Sequence, residues 1–165
     1  AYRIAVDSDG ATGLVLSRQN LPVLEGTADA YEGVSKGAYV LRDTDGTPDV
    51  VLIGTGSEVH VCVDAASQLA GEGLSARVVS MPSWDLFEAA GADYQRQVLG
   101  EGVPALSVEA GASFGWSRWA DAHVAIDTFG ASAPGAVALA NFGFTPENVA
   151  AKAKDLVASK NGAAR

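Results

Sequence analysis

The stretch DVVLIGTGSEVHVCVDAASQLAGEG, from Asp49 to Gly73, decides the fold. An apolar run, Val50 to Ile53, leads into Gly54-Thr55-Gly56. From Ser57 to Ala70, the apolar positions Val59, Cys62, Val63, Ala66, Leu69 and Ala70 then recur at helical spacing. The reading is strand, turn, helix, with Gly71 or Gly73 ending the helix.

A Gly-x-Gly turn between strand and helix raises the question of a nucleotide. A dinucleotide site needs a third small residue and an acidic residue at the end of the next strand. Here Val59 fills the third position, and the next strand, ARVVSMP, ends at Ser80-Met81-Pro82 without a carboxylate. A phosphate loop ending in Gly-Lys-Ser/Thr is also absent, and Glu58 would repel phosphate. The residues favour a structural turn, with Ser57 as N-cap and Glu58 beside the positive helix end.

Outward from this unit, AYVLRD reads as a strand. The connection TDGTP, with Asp45-Gly46 and Pro48, is strong turn chemistry, so AYVLRD and DVVLIGTG are expected to form an antiparallel hairpin. TGLVLSRQ reads as a short strand, and NLPVLEGTADAYEGVSKG as a linker broken by Pro22, Gly26, Gly33 and Gly37. SWDLFEAAGADYQRQVLG holds one or two short helices capped by Ser83. VPALSVEAG is a strand, SFGWSRWADAH a helix and VAIDTFG a strand. SAPGAVALANFG and TPENVAAKAKDLVASK are closing helices with Ser132 and Thr145 at their caps. Val149, Ala153, Leu156 and Val157 form the buried stripe of the last helix. Strands alternating with helices imply an α/β sandwich, mostly parallel, with one antiparallel strand from AYVLRD.

Composition limits the function. The 165 residues suffice for one domain with a proper core. A net charge of −9 argues against a nucleic-acid binder, which needs a basic face. No apolar run is long enough for a membrane span. Cys62 is the sole cysteine; it reads as a small buried hydrophobe, fits a reducing, cytoplasmic setting and leaves no internal disulfide. The chain opens AYRIAVDSDG without methionine, and the expectation is a piece of a longer protein.

Few residues carry chemistry. His60 and His123 are the only histidines, and neither belongs to a metal-binding spacing. Gly111, Ser113 and Gly115 match a hydrolase elbow, but His123 follows too soon to be presented from a separate loop. Glu109 ends a strand, where it is either a catalytic carboxylate or a capping or interface one. Trp84, Trp116 and Trp119 are core or interface aromatics, and Trp116 and Trp119, three apart, suggest a subunit contact. Arg18 follows the strand GLVLS. A guanidinium fixed there suits a phosphate or carboxylate, and on spacing alone a surface ion pair serves equally.

From LVLSRQNLPVLEGT onward the sequence resembles the transketolase family. The resemblance continues through YVLRD, VVLIGTGSEV, ARVVSMPSWDLFE, SVEAGASFGW, IDTFGASAP and FGFTPENVAAKAKDLV, in the family's order. SRQNLP in particular resembles the transketolase form of the junction between the middle and last domains. The resemblance divides the chain into residues 1–21, a remnant of the pyrimidine-binding domain, a linker at 22–37, and the C-terminal domain at 38–165.

The resemblance implies a three-layer α/β/α fold with a mixed, mostly parallel five-stranded sheet. It implies a parent homodimer that moves a two-carbon ketol unit between phosphorylated sugars, using thiamine diphosphate and a divalent cation, magnesium or calcium. Those cofactors belong to regions this chain does not match, so the chain is expected to bind none and to be inactive alone, with no catalytic residue of its own. Its partners would be the remaining domains of the parent. One residue carries over: Arg18 in SRQNLP matches the arginine that grips the substrate's sugar phosphate. The rival reading is an autonomous small-molecule-binding or scaffolding α/β domain, with the GTGSEV turn and Glu109 lining its cleft.

Overall fold

The computed structural model describes residues 1–163. A short helix α1 (Tyr2–Asp7) and a helical turn α2 (Tyr31–Ser35) precede the sheet. The strands are β1 (Tyr39–Arg42), β2 (Val50–Gly54), β3 (Ala76–Ser80), β4 (Ala105–Val108) and β5 (Ala122–Val124). Between and after them come α3 (Glu58–Gly71), α4 (Trp84–Ala89), α5 (Ala92–Leu99), α6 (Gly135–Asn141) and α7 (Pro146–Ala163).

The sheet order is β1-β3-β2-β4-β5. β2 lies at the centre and pairs in parallel with β3, Leu52 opposite Val78, and with β4, Leu52 opposite Leu106. β5 continues the parallel set, and β1 joins antiparallel at the other edge, Val40 opposite Val79. This is the mixed five-stranded sheet the resemblance implies.

Every residue of β2 is buried, because both of its faces are covered. Val50 and Leu52 face a core shared with Cys62, Ala65 and Leu69 of α3 and Val149 and Ala153 of α7. Val51 and Ile53 face the opposite core, with Phe87 of α4, Val98 of α5, Trp116 and Trp119. Helices on both faces make the three layers. α3 stops where Gly73 adopts φ +83°: its N–H bonds the Ala70 carbonyl and that of Leu74 bonds Leu69, the paired closure that a left-handed glycine permits.

Four sequence expectations are corrected. β1 does not form a hairpin with β2; β3 lies between them. Arg77 of β3 pairs with Asp43 just after β1 at 2.8 Å, fixing β1 to its actual neighbour. TGLVLSRQ is not a strand. The five strands among the described residues all lie beyond residue 38 and none pairs with it, and Val15 is 99% exposed. SFGWSRWADAH is no helix but a single 3-10 turn at Trp116–Arg118, with β5 starting at Ala122. Gly115 opens that turn at φ +88°, and the turn drops both Trp116 and Trp119 into the core, so neither is free for a subunit contact. Finally, Ser57 and Ser132 do not cap their helices, whereas Ser83 and Thr145 do, accepting from Leu86 N–H and Asn148 N–H.

Candidate functional site

In the parallel part of the sheet the chain runs from β2 out to β3 by α3 on one face. It returns past β2 to β4 by α4 and α5 on the other. The direction of winding therefore reverses between β2 and β4, and doubly wound folds place ligands outside the carboxyl ends of the strands at such a point. A cavity of about 600 Å³ lies there, lined by Thr55, Gly56, Ser57 and Glu58 after β2, by Glu109 and Ala110 after β4, and by Trp84.

The rim of this crevice is tied together by its own side chains. Thr55 donates its hydroxyl to Glu109 Oε1 at 3.1 Å, and Trp116 donates its indole N–H to Glu109 Oε2 at 2.8 Å. Glu58 is 5% exposed; Oε1 accepts the Ser57 hydroxyl and Oε2 the backbone N–H of Ala110 at 3.1 Å. Two carboxylates thus bridge the ends of β2 and β4 rather than pointing freely into the cavity. The bridging by Glu58 is missing from the sequence reading, which assigns it only to the helix's positive end. Its partner is a backbone N–H 52 positions away, and no local signal marks such a contact.

The Gly-x-Gly turn is explained by packing. A Cβ on Gly54 would lie 2.8 Å from Val59 Cα and 3.1 Å from Cys62 Sγ, so only glycine lets α3 come this close to β2. Gly56 has φ +47°, and a Cβ built on it would lie 3.7 Å from Ser17 Oγ. The turn does not fit a diphosphate: a buried carboxylate, Glu58, opens the helix where phosphate oxygens would have to sit, with Glu109 beside it. No set of three or more His, Cys, Asp or Glu side chains converges to hold a metal among the described residues.

The remaining candidates disperse. Ser113 gives its backbone N–H to Asp127 at 2.8 Å, which holds that carboxyl below the usual carboxylate range. His123 places Nδ1 2.8 Å from the hydroxyl of the buried Ser107, not of Ser113, so no hydrolase elbow assembles. His60 is half-buried and faces the groove between α3 and α6. Cys62 is fully buried, and burial pushes its thiol pKa up. Arg18 is exposed, and no ion pair engages it among the described residues. The segment before it, Val15 to Ser17, forms a wall of the crevice between β2 and β4.

A family model described as the transketolase-like TK C-terminal domain matches residues 37–145. The chain belongs to the transketolase C-terminal-domain family. The transketolase of Halalkalibacterium halodurans is 52% identical over 166 residues, which cover 97% of this chain and 25% of that protein. The transketolase of Nostoc sp. is 49% identical over 95% of this chain and 24% of its own length. Among solved structures, transketolase from Leishmania mexicana superposes with a TM-score of 0.81 at 44% identity. It covers 86% of this chain and 21% of that one. A Pichia stipitis transketolase solved with sedoheptulose-7-phosphate gives 0.82 at 42% identity, covering 88% and 21%. The chain therefore spans about a quarter of the length of the transketolases it matches. No helix is long and apolar enough to cross a membrane among the described residues.

Proposed function

We propose that this chain serves as the C-terminal portion of a transketolase. The parent enzyme moves a two-carbon ketol unit between phosphorylated sugars, and residues 38–165 form its C-terminal domain. Residues 22–37 would be the linker, and 1–21 the tail of the pyrimidine-binding domain, carrying Arg18. The observation that carries the reading is the 52% identity along 97% of the chain to one quarter of a transketolase. A homodimeric parent in the cytoplasm, and substrate phosphate bound through Arg18, complete the proposal. The exposed position of Arg18 supports it, because a planar cation reachable from solvent can meet a pair of phosphate oxygens.

Thiamine diphosphate and a divalent cation, magnesium or calcium, would be held by the rest of the parent. Bound there, the coenzyme supplies carbanion stabilisation at the transferred unit. The carboxylates of Glu58 and Glu109 are committed to holding the crevice together, so this chain contributes structure and one substrate contact. Alone it is inactive. The test mixes the purified 165-residue chain with thiamine diphosphate, magnesium and sugar phosphates. No turnover is expected, and turnover by a homogeneous preparation refutes the assignment of roles.

The second reading, an autonomous ligand-binding domain, rests on the crevice of about 600 Å³ at the switch point. Calorimetry of the chain alone against sugar phosphates and nucleotides separates the two. Saturable binding that survives Arg18→Ala favours the autonomous domain.

A further inference from the structure

Two phenyl rings stand in solvent at one end of the sheet: Phe114 is 91% and Phe129 100% exposed. Phe114 follows β4 and Phe129 follows β5. These strands are parallel, so both loops leave the sheet at its carboxyl edge. The loops brace each other. The Glu109 N–H donates to the Val124 carbonyl at 3.1 Å, the Ile126 N–H to the Gly111 carbonyl at 2.7 Å, and the Ser113 N–H to the Asp127 carboxylate at 2.8 Å. Every residue of 127–137 is exposed, and after Asp127 none of them is charged. An uncharged, exposed surface with aromatic anchors has the composition of an interface core.

We propose that the β4 and β5 loops dock the C-terminal domain onto the part of the same polypeptide that precedes it, with Phe114 and Phe129 as the anchors. This rests on the reading of the chain as the C-terminal portion of a transketolase. The chain covers 25% of its Halalkalibacterium relative, so under that reading the greater part of the parent lies ahead of residue 1. The leading segment, which the same reading gives to the preceding domain, marks the side from which that part arrives. Val15 and Leu16 line the crevice at this carboxyl edge, together with Trp84 and Glu109. Trp84 packs edge-on against Trp116, ring centroids 4.9 Å apart, and Trp116 is two positions after Phe114. The preceding domain thus already reaches the chain beside one of the two rings. Continuing that contact outward across the braced loops covers the second ring as well.

The test compares the 165-residue chain with a transketolase-length polypeptide that ends in it. Backbone hydrogen exchange at residues 112–114 and 128–131 needs no substitution. These amides should exchange about tenfold more slowly in the long polypeptide, the scale set by burying one phenyl ring. Phe114→Asp and Phe129→Asp together should leave the urea midpoint of the 165-residue chain unchanged, because both rings are exposed there. In the long polypeptide the same pair should speed proteolytic cutting within residues 22–37 by about tenfold, because buried carboxylates would favour release of the domain. Its mass in solution should stay the same. Exchange equally fast in both proteins, or unaltered cutting, overturns the docking surface. A mass that halves in the long variant, with exchange in the 165-residue chain slowing as its concentration rises, assigns the surface to a second copy and also overturns the proposal. If the long polypeptide transfers ketol units while exchange and cutting are unaltered, the surface falls and the C-terminal reading stands. If it transfers none, that reading falls and the surface with it.

Discussion

The Cα of Val59 lies 2.8 Å from where a methyl group on Gly54 would sit, so α3 starts almost in contact with the end of β2. Gly54→Ala must push helix and strand apart. The expected loss of unfolding free energy is about 1–3 kcal/mol, the usual scale of overpacking. Urea denaturation checks it. An unchanged midpoint would mean the contact relaxes freely.

Glu58 should matter for stability without touching a ligand. Glu58→Ala leaves the Ala110 N–H without its carboxylate and opens the bridge between β2 and β4. The expected cost is about 1–3 kcal/mol, with Glu58→Gln costing less because it keeps an acceptor. Hydrogen exchange gives a local readout: the Ala110 amide should exchange faster in the alanine variant than in the glutamine one.

Acid should weaken the start of the sheet. The Ser75 backbone N–H, and then its hydroxyl, hold the Asp49 carboxyl below its ordinary value of 3.8. A carboxyl with a lowered folded-state pKa contributes stability that is present above the unfolded value and lost as pH falls through the folded one. Stability should therefore decline below about pH 4, and Asp49→Asn should flatten that decline. Denaturant midpoints recorded across the acid range test it. Equal slopes in both proteins would remove Asp49 from the account.

Cys62 should be inert while the domain is folded. It is fully buried, and burial followed by the nearby Glu58 charge pushes its thiol pKa far above neutral. Iodoacetamide at neutral pH should label it only at the rate of unfolding, with full labelling in denaturant. Rapid labelling of the native chain would show that α3 opens locally.

Much of this fold is readable along the chain because the signals are local. The Ser57–Ala70 periodicity, the Gly73 stop and the Ser83 and Thr145 caps each involve residues within one or two turns of each other. The errors share the opposite property. Turn chemistry at Asp45-Gly46 shows that the chain bends, but not that β3 will insert beside β1. Leu14, Val15 and Leu16 look like a strand, but a strand also needs a neighbour, and propensity does not supply one. Trp116 and Trp119 have helical spacing, yet a 3-10 turn delivers both to the core equally well. At the crevice, Glu109 is visible as a strand-end carboxylate, while its partners Thr55 and Trp116 emerge only once the strands are assembled.

The central place of β2 also governs how the chain acquires its shape. Both neighbours of this strand, β3 and β4, are translated after it, and β3 is also the neighbour of the edge strand β1. Pairings between such distant segments must close large loops before they gain any ladder, which makes for high contact order and slow folding. An emerging chain that has reached α3 but not β4 exposes the Val50–Ile53 run on at least one edge. During that interval the strand at the heart of the finished sheet is its most aggregation-prone part.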